Sequence, residues 1–285
     1  MPKLTRPLRS VLYIPASRAR ALDKARGLAC DAIIFDLEDA VSPDEKEAAR
    51  ETLAEALAEG GFGQRYRVVR INGLDTRWGA DDARAAAAMA PDAILLPKVG
   101  APADLAALAE MTGDVPLWAM METPGAMLGA QAIATHPLLE AMVLGTNDLA
   151  KDLQTRFRAD RQPLITGLGL CLLAAKAAEI AIIDGVYNAF KDTEGLKLEC
   201  EQGRDMGFDG KTLIHPSQLE AANAAFSPSE AEAELAQRQI EAFEAAKASG
   251  QGIAVVDGRI VENLHVATAR ETLAKLEAIA ALQAE

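Results

Sequence analysis

Residues 117–122 read LWAMME and residues 142–148 read MVLGTND, so two apolar runs each end in a single acid, Glu122 and Asp148. Short, continuous apolar runs of this kind are typical of buried parallel strands. The carboxyl ends of neighbouring parallel strands meet at one rim of a sheet, which is where barrel enzymes carry their functional side chains. The two runs therefore predict a parallel sheet with two carboxylates side by side at its rim.

Similar apolar or β-branched runs recur along the chain, separated by alanine-rich segments of helical period such as 43–59, 80–89, 102–111 and 168–179. The eight runs are residues 10–14, 32–35, 67–71, 93–96, 117–121, 142–144, 182–187 and 211–214. Strands that alternate with helices indicate repeated βα units. Eight units favour an α/β fold of the closed (β/α)8 barrel type, typically about 250 residues long, over an open doubly wound sheet.

The last part of the chain has a different pattern, which divides it into a barrel domain at 1–226 and a C-terminal extension at 227–285. Residues 229–249 predict a helix rich in alanine and glutamate. Residues 253–256 and 259–261 flank Asp257-Gly258, a pair that favours a type I′ hairpin turn. A final helix is predicted at 264–282. The extension is thus a helix, a hairpin and a second helix.

The composition limits the kinds of partner. The formal net charge of -13 over 285 residues argues against a nucleic-acid binder, which needs lysine and arginine at phosphates. An anionic ligand must instead meet a local basic cluster. No stretch resembles a signal peptide or a membrane helix, which predicts a cytoplasmic protein without a membrane partner. We expect the three scattered cysteines, Cys30, Cys171 and Cys200, to be reduced and buried.

Charged and polar side chains follow the predicted strands, at the rim where a barrel has its active site. These residues are Asp36, Glu38 and Asp39 after the second run, Arg70 and Asn72 at the third, Lys98 after the fourth, Glu122 after the fifth and Asp148 after the sixth. Charges that merely solvate a surface favour the outer faces of helices. The clustering therefore predicts an active site. The sequence assigns no catalytic role to Lys98.

The residue types suggest a divalent cation and a carboxylate ligand. Glu122 and Asp148 together read as metal ligands, and hard oxygen ligands without a histidine favour Mg²⁺ or Mn²⁺ over zinc. Either acid alone could instead cap the helix that follows its strand. Arg70 presents a guanidinium fork suited to a substrate carboxylate, although it could also pair with Asp36.

Other chemistries lack their motifs. The chain has no Gly-x-Ser-x-Gly nucleophile elbow. Gly210-Lys211-Thr212 is similar to the end of a phosphate-binding loop, but Asp205 stands where the first glycine of that loop belongs. His215, which precedes a proline, reads as a structural or rim residue rather than a catalytic one.

Several sequence blocks in order resemble the citrate lyase β-subunit-like group of the HpcH/HpaI aldolase superfamily, and the resemblance covers almost the whole chain. The blocks are RSVLYIP at 9–15, IFDLEDAV at 34–41, VRIN at 69–72, LPK at 96–98, METP at 121–124, GTNDL at 145–149 and FDGKTLIHP at 208–216. This resemblance implies a (β/α)8 barrel with Mg²⁺ on Glu122 and Asp148. It also implies that Arg70 holds the acid end of a short hydroxy- or keto-acid.

The same resemblance implies an acyl-CoA thioester substrate, with CoA bound near the first strand and its following loop. This chain offers Tyr13, Arg18, Arg20 and Lys24 there, and three cations within seven residues can contact phosphates although the protein is acidic overall. The alternative is that these cations only mark a basic helix start. Asp36 and Glu38 are expected to orient Arg70 or metal-bound water.

In related lyases the C-terminal extension acts as a lid, often over a neighbouring subunit of a homo-oligomer, and an aspartate after the hairpin is the catalytic base. Here Glu262 takes that position, and its extra methylene would place a base differently. Alternatively, Glu262 is only an acid near the start of the last helix, where the helix dipole stabilises its negative charge. Residues 261–265 resemble the tail of (3S)-malyl-CoA thioesterases.

The expected reaction is therefore hydrolysis of (3S)-malyl-CoA to malate and CoA, with Glu262 as the base that activates water. Two other functions stay open at this stage. One is a malyl- or citramalyl-CoA lyase, which cleaves a carbon–carbon bond to give acetyl-CoA and a 2-oxo acid. The other is a non-catalytic acyl-CoA-binding protein, which would need no metal.

Overall fold

The computed structural model describes residues 6–283, and its contacts divide the chain into a barrel unit, Leu8–Phe226, and a tail unit that begins at Ser227. The barrel unit contains eight parallel strands that close on themselves in sequence order, so that the first strand pairs with both the second and the eighth. The strands are β1 Ser10–Pro15, β2 Ala32–Asp36, β3 Tyr66–Arg70, β4 Ala93–Leu96, β5 Leu117–Met121, β6 Leu139–Leu144, β7 Ala181–Asp184 and β8 Gly210–Leu213. The predicted (β/α)8 barrel is confirmed.

Helices follow the strands on the outside of the barrel. They are α1 Ala19–Ala25, α2 Lys46–Glu59, α3 Gly79–Ala88, α4 Pro102–Thr112, α5 Pro124–Ala134, α6 Thr146–Asp152, α7 Ile165–Ala177, α8 Thr193–Met206 and α9 Leu219–Ala225, with short 3-10 turns at Pro43–Glu45 and Pro216–Gln218. None of the helices within residues 6–283 is long and apolar enough to cross a membrane.

Several element boundaries differ from the sequence prediction by one to three residues, and β6, for example, begins at Leu139 rather than at residue 142. Two of the differences lie beside close packing or buried polar contacts. The seventh strand ends at Asp184 rather than at residue 187, because Asp184 and the Gly185 carbonyl are bound by Lys211 and the chain leaves the sheet there. Helix α7 begins at Ile165, three residues before the predicted start. Glycine disfavours helices, but Gly167 packs closely against Met127, so tertiary packing outweighs local propensity.

The alternation of side chains along the strands decides which residues face the barrel interior. The inner cluster contains Val11 and Tyr13 of β1, Ala32 and Ile34 of β2, Tyr66 and Val68 of β3, Ala93 and Leu95 of β4, Trp118 and Met120 of β5, Ala141 and Val143 of β6, and Ala181 and Ile183 of β7. The intervening strand residues belong to a larger cluster shared with the helices. Asp36, Arg70 and Glu122 continue the inward series, which places them in the top layer of the barrel.

The tail unit contains α10 Glu230–Ala248, a hairpin of β9 Ala254–Val256 and β10 Arg259–Val261, and α11 Asn263–Gln283. Phe243, Ala246, Ala254, Val261 and Val266 form its small core. Asp257 and Gly258 both have positive φ angles, 49° and 75°, as the predicted type I′ turn requires.

Candidate active site

A cavity of 340 Å³ opens at the carboxyl rim of the barrel. It is lined by Tyr13, Pro15, Asp36, Asp39, Ala40, Arg70, Met120, Glu122, Leu144, Gly145, Thr146, Asn147, Asp148, Val186, Asn188 and Ile214. The rim therefore brings together five of the predicted site residues, namely Tyr13, Asp36, Arg70, Glu122 and Asp148. The role of Tyr13 in binding CoA stays a prediction.

Arg70 is held on three sides. Its Nε and Nη2 atoms donate to the two carboxylate oxygens of Asp36 at 2.7 and 2.6 Å, and its Nη1 atom is 2.8 Å from Glu38 Oε2. The guanidinium carbon lies 4.9 Å from the centre of the Tyr13 ring. Asp36 thus occupies the side of the guanidinium that carries Nε, and Glu38 lies at Nη1. A substrate carboxylate could bind only the remaining N–H groups of Nη1 and Nη2.

Glu122 lies directly after β5 and is 2% exposed. Its Oε1 atom accepts the backbone N–H of Lys98 at 2.7 Å. Burial raises the pKa of Glu122 to about 7, the Lys98 amide works in the opposite direction, and nearby Asp148 raises the pKa further. Gly145 makes this position possible, because a Cβ atom there would lie 2.4 Å from the Cβ of Glu122.

Glu38 is a second buried acid of the rim. It lies between Arg70 and Lys98, with 3.9 Å between Lys98 Nζ and Glu38 Oε1. Burial raises the pKa of Glu38 to about 7, although Arg70 lowers it. At neutral pH the rim therefore contains two acids that resist full ionisation.

We call the charged residues at this end of the barrel the rim cluster. It comprises Asp36, Glu38, Asp39, Arg70, Lys98, Glu122 and Asp148. Five carboxyl groups face only two cationic side chains, so the cluster has a surplus of negative charge. Within residues 6–283 no three histidine, cysteine, aspartate or glutamate side chains form a ready metal site. A divalent cation held by two carboxylates and by water or substrate oxygens fits this set, as Mg²⁺ commonly requires.

The predicted CoA-binding cations lie on or beside α1. Arg18, Arg20 and Lys24 are all exposed, and Arg18 directly precedes the helix. Such exposed cations are available to bind an anion, whereas Tyr13 contacts Arg70 inside the cavity. Glu262 belongs to the tail unit, where it is exposed and lies between β10 and α11. Its backbone N–H donates to His265 Nδ1 at 3.1 Å.

The structure also places residues in the cavity that the sequence analysis did not single out. Asn147 and Asn188 form a reciprocal amide pair, with N···O distances of 3.2 and 2.7 Å, across the segments that follow β6 and β7. Asn147 directly precedes Asp148, and this position next to a predicted site residue could have identified it from the sequence. Asn188 comes four residues after its strand, and only the folded barrel brings it to Asn147.

A second group of buried charges lies outside the cavity, and we call it the closed cluster. It consists of Arg161, Asp184, Glu199 and Lys211. Lys211 is 0% exposed, and its Nζ atom is 2.6 Å from Glu199 and 3.2 Å from Asp184. Arg161 Nη1 binds both oxygens of Asp184 at 2.8 and 2.7 Å. The lysine that resembled a phosphate-loop residue is therefore bound by buried carboxylates.

Comparison with known proteins agrees with this geometry. The model of the HpcH/HpaI aldolase/citrate lyase family matches residues 9–216. A (3S)-malyl-CoA thioesterase of Cereibacter sphaeroides strain KD131 is 66% identical over 278 residues, which cover 98% of each chain. An L-malyl-CoA/beta-methylmalyl-CoA lyase of the same species is 32% identical, with 98% of each chain covered.

Among solved structures, the protein CitE from Mycobacterium tuberculosis in complex with magnesium, acetoacetate and coenzyme A superimposes with a TM-score of 0.81. It is 30% identical in sequence, and the match covers 96% of this chain and 100% of CitE.

Proposed function

The chain belongs to the HpcH/HpaI aldolase/citrate lyase family, and on that premise we propose that it hydrolyses (3S)-malyl-CoA to malate and free CoA. One observation carries this proposal. The 66% identity to (3S)-malyl-CoA thioesterases extends over 98% of the chain, so it includes the tail unit as well as the barrel. The identity to the malyl-CoA lyase is about half as high over the same share of the chain.

For the metal, we propose Mg²⁺ on Glu122 and Asp148, with Mn²⁺ as the alternative. The surplus of carboxylates in the rim cluster supports this choice, as does the magnesium in the related CitE complex. A bound Mg²⁺ would supply Lewis-acid charge to the hydroxyl and carboxylate oxygens of the malyl group. Asp36 fixes the orientation of Arg70 through two hydrogen bonds, so Arg70 can meet the malyl carboxylate without reorganising.

For CoA, we propose that Arg18, Arg20 and Lys24 bind the phosphates, because all three are exposed and lie within seven residues. For the base, we propose Glu262, an exposed acid whose carboxylate is available to accept a proton. Glu262 takes a proton from water while the water oxygen attacks the thioester carbon. The tetrahedral intermediate then breaks its carbon–sulfur bond, the CoA thiolate takes the proton from Glu262, and the acyl group leaves as malate with the water oxygen in its new carboxyl group.

A product assay tests this function directly. Purified protein is incubated with (3S)-malyl-CoA and Mg²⁺, and the products are separated over time. We expect free CoA and malate in equal amounts. Acetyl-CoA and glyoxylate as the primary products would instead assign a carbon–carbon lyase, and an unchanged substrate that is nevertheless bound would assign an acyl-CoA-binding protein.

The identity of the base is tested by Glu262→Asp, which shortens the side chain by one methylene. We expect slower hydrolysis and a larger share of glyoxylate, since a group displaced by about one ångström transfers protons poorly. Glu271→Asp, which shortens an exposed glutamate of α11 by the same methylene, is the matched control. An unchanged rate and unchanged products in Glu262→Asp would contradict the role of Glu262.

We also propose that the protein forms a homo-oligomer through an apolar face of α5 and α7. Leu128 of α5 is 84% exposed, Leu173 of α7 is 71% exposed, and Leu170 lies on the same helix. Helix α5 has no charged residue, and α7 has one, Lys176, in its last turn. Helices that are apolar on all sides are normally covered. Light scattering after size-exclusion chromatography should show a smaller species for Leu128→Lys and Leu173→Lys together.

The remaining proposals concern location and partners. Three buried free cysteines, Cys30, Cys171 and Cys200, suit a reducing compartment and support a cytoplasmic location. The net charge of -13 supports a small-molecule substrate rather than a nucleic-acid partner.

A further inference from the structure

The backbone of Lys98 has a left-handed conformation, in the turn that directly follows β4. Six residues other than glycine have positive φ angles within the described chain: Ala90, Lys98, Gln154, Arg161, Glu179 and Asp257. Three of them follow the ends of α3, α6 and α7, where left-handed residues are common. Asp257 lies in the hairpin turn, and Arg161 belongs to the closed cluster. Lys98 alone lies just after a barrel strand at the rim of the cavity, with φ 52°.

The left-handed conformation determines where the amide of Lys98 points. The N–H donates to Glu122 Oε1 at 2.7 Å, a short hydrogen bond between a neutral donor and a buried carboxylate. The side chain of Lys98 is 59% exposed and points to another acid, since its ammonium lies 3.9 Å from Glu38 Oε1. The backbone and the side chain of Lys98 thus contact two different acids.

We propose that Lys98 is a positioning residue whose backbone amide, turned inward by the left-handed conformation, orients the Glu122 carboxylate for cation binding. Its ammonium is not needed for that task. The inference rests on the proposed cation site of the thioesterase. With Oε1 bound by the amide, Oε2 is the oxygen left to a cation, and the carboxylate need not reorganise when the ion binds.

The physical chemistry of residue types makes this separation of roles testable. Glycine adopts positive φ without strain, lysine does so rarely, and β-branched residues are strongly disfavoured there. Lys98→Gly therefore keeps the amide in place while it removes the ammonium. Lys98→Val removes the ammonium and also drives the backbone away from the left-handed region. The two variants lose the same charge and differ in the direction of the amide.

The closing experiment titrates Mg²⁺ into the full-length, substrate-free protein by calorimetry. We expect Lys98→Gly to bind Mg²⁺ within about twofold of the wild type, and Lys98→Val to bind it roughly tenfold more weakly or worse. Glu179→Val is the matched control, because Glu179 has a similar φ of 57° after α7 and is exposed. It should lose stability and keep the wild-type Mg²⁺ affinity. Lys98→Ala gives the same contrast, in smaller size, if Lys98→Val does not fold.

A second readout needs no metal. Carbon-detected NMR follows the titration of the Glu122 carboxyl group in each variant. Both variants lose the Lys98 ammonium, which lowers the pKa of Glu122, so both should show a higher pKa than the wild type. Loss of the amide hydrogen bond should make the pKa higher in Lys98→Val than in Lys98→Gly. Equal losses of Mg²⁺ affinity in the Gly and Val variants would overturn the proposal, since the ammonium would then be responsible. So would wild-type affinity in Lys98→Val, or a wild-type protein that binds no Mg²⁺.

The two proposals fail separately. If the product assay shows no hydrolysis while the Mg²⁺ affinities follow the expected order, the thioesterase function is wrong and the role of Lys98 stands. If hydrolysis occurs and Lys98→Gly binds Mg²⁺ as weakly as Lys98→Val, the role of Lys98 is wrong and the function stands.

Discussion

The rim cluster and the closed cluster both bury charged side chains near the strand ends, yet they are built differently. In the closed cluster two acids meet two cations, and Lys211 contacts three acceptors. Burial alone would raise the pKa of Asp184, but Lys211 and Arg161 hold it below its usual value. In the rim cluster five acids face two cations, and burial raises the pKa of Glu38 and of Glu122 to about 7.

This difference separates structural charges from functional ones. The charges of the closed cluster balance one another, although Arg161 Nη2 is buried without a hydrogen-bond partner. A surplus of one sign beside a cavity favours a ligand of the other sign. Burial of charge alone would not distinguish the two clusters, because the rim cluster also contains buried charges, namely Asp36, Glu38, Arg70 and Glu122. The balance of charge and the adjoining cavity do distinguish them.

The largest effect is expected in the closed cluster. Lys211→Met leaves Asp184 and Glu199 with one cation fewer in a buried environment, so we expect the free energy of unfolding to fall by about 3–5 kcal/mol. Urea denaturation measures this loss. Lys176→Met, which breaks an exposed ion pair with Asp209, is the control and should cost about 1 kcal/mol or less. Equal losses in the two variants would remove the distinction between buried and exposed pairs.

Next in size is the effect of Glu122→Gln, which removes one charge from the surplus. We expect the rate of hydrolysis to fall roughly 100- to 1,000-fold, about 3–4 kcal/mol in activation free energy, because a cation ligand is lost. In the absence of metal, Glu122→Gln should leave the free energy of unfolding at or above the wild-type value. Asp184→Asn, the same kind of change in the closed cluster, should destabilise strongly. Equal losses of stability in Glu122→Gln and Asp184→Asn would contradict the distinction between the two clusters.

A smaller effect concerns pH. Glu38 and Glu122 have pKa values of about 7 in the folded protein, above the value of 4.5 for an unperturbed glutamate. The folded state therefore holds more protons than the unfolded state between these values. The metal-free protein should lose stability as the pH rises through this window, by at most about 1.4 kcal/mol per pH unit for each group.

Denaturation of the metal-free protein at pH 5.5, 6.5 and 7.5 measures this slope. Added Mg²⁺ should reduce it, because the cation stabilises the ionised form of Glu122. In Glu38→Gln the free energy of unfolding should depend less steeply on pH, because only Glu122 of the two glutamates still titrates. A metal-free wild type whose stability rises over the same range would contradict the raised pKa values.

The smallest effect is expected outside both clusters, at the exposed cations of α1. Arg20→Gln should raise the KM for the acyl-CoA about fivefold, or about 1 kcal/mol, through loss of a phosphate contact, and the difference should shrink at high salt. Arg84→Gln removes an exposed cation from α3 and should leave KM unchanged. If both variants behave as the wild type, the cations of α1 only begin a helix.

Local sequence pattern was sufficient for the barrel and for the rim, because strand ends in a parallel barrel share one face. Asp36, Arg70, Glu122 and Asp148 could be placed together for that reason. The pattern left open whether Arg70 would meet Asp36, since side chains on neighbouring strands can point to a partner or into the cavity. The distances of 2.7 and 2.6 Å answer that question.

Other features depend on contacts that no local pattern encodes. Arg161 reaches Asp184 from a loop 23 residues away, and Lys211 is 27 residues beyond Asp184, so the closed cluster exists only in the folded chain. The left-handed backbone of Lys98 is likewise invisible in sequence, because lysine has no preference for it. The role of Glu262 stays a prediction, since it depends on chemistry rather than on the fold of the tail.

The closed cluster has a consequence for how the last quarter of the barrel opens. It ties β7, β8, α8 and the segment before α7 into one set of mutual ion pairs within residues 161–211. These elements should exchange their amide hydrogens as one cooperative unit rather than strand by strand. A chain cut or circularly permuted inside this interval would separate charges that are buried only as a group. New termini are better placed elsewhere.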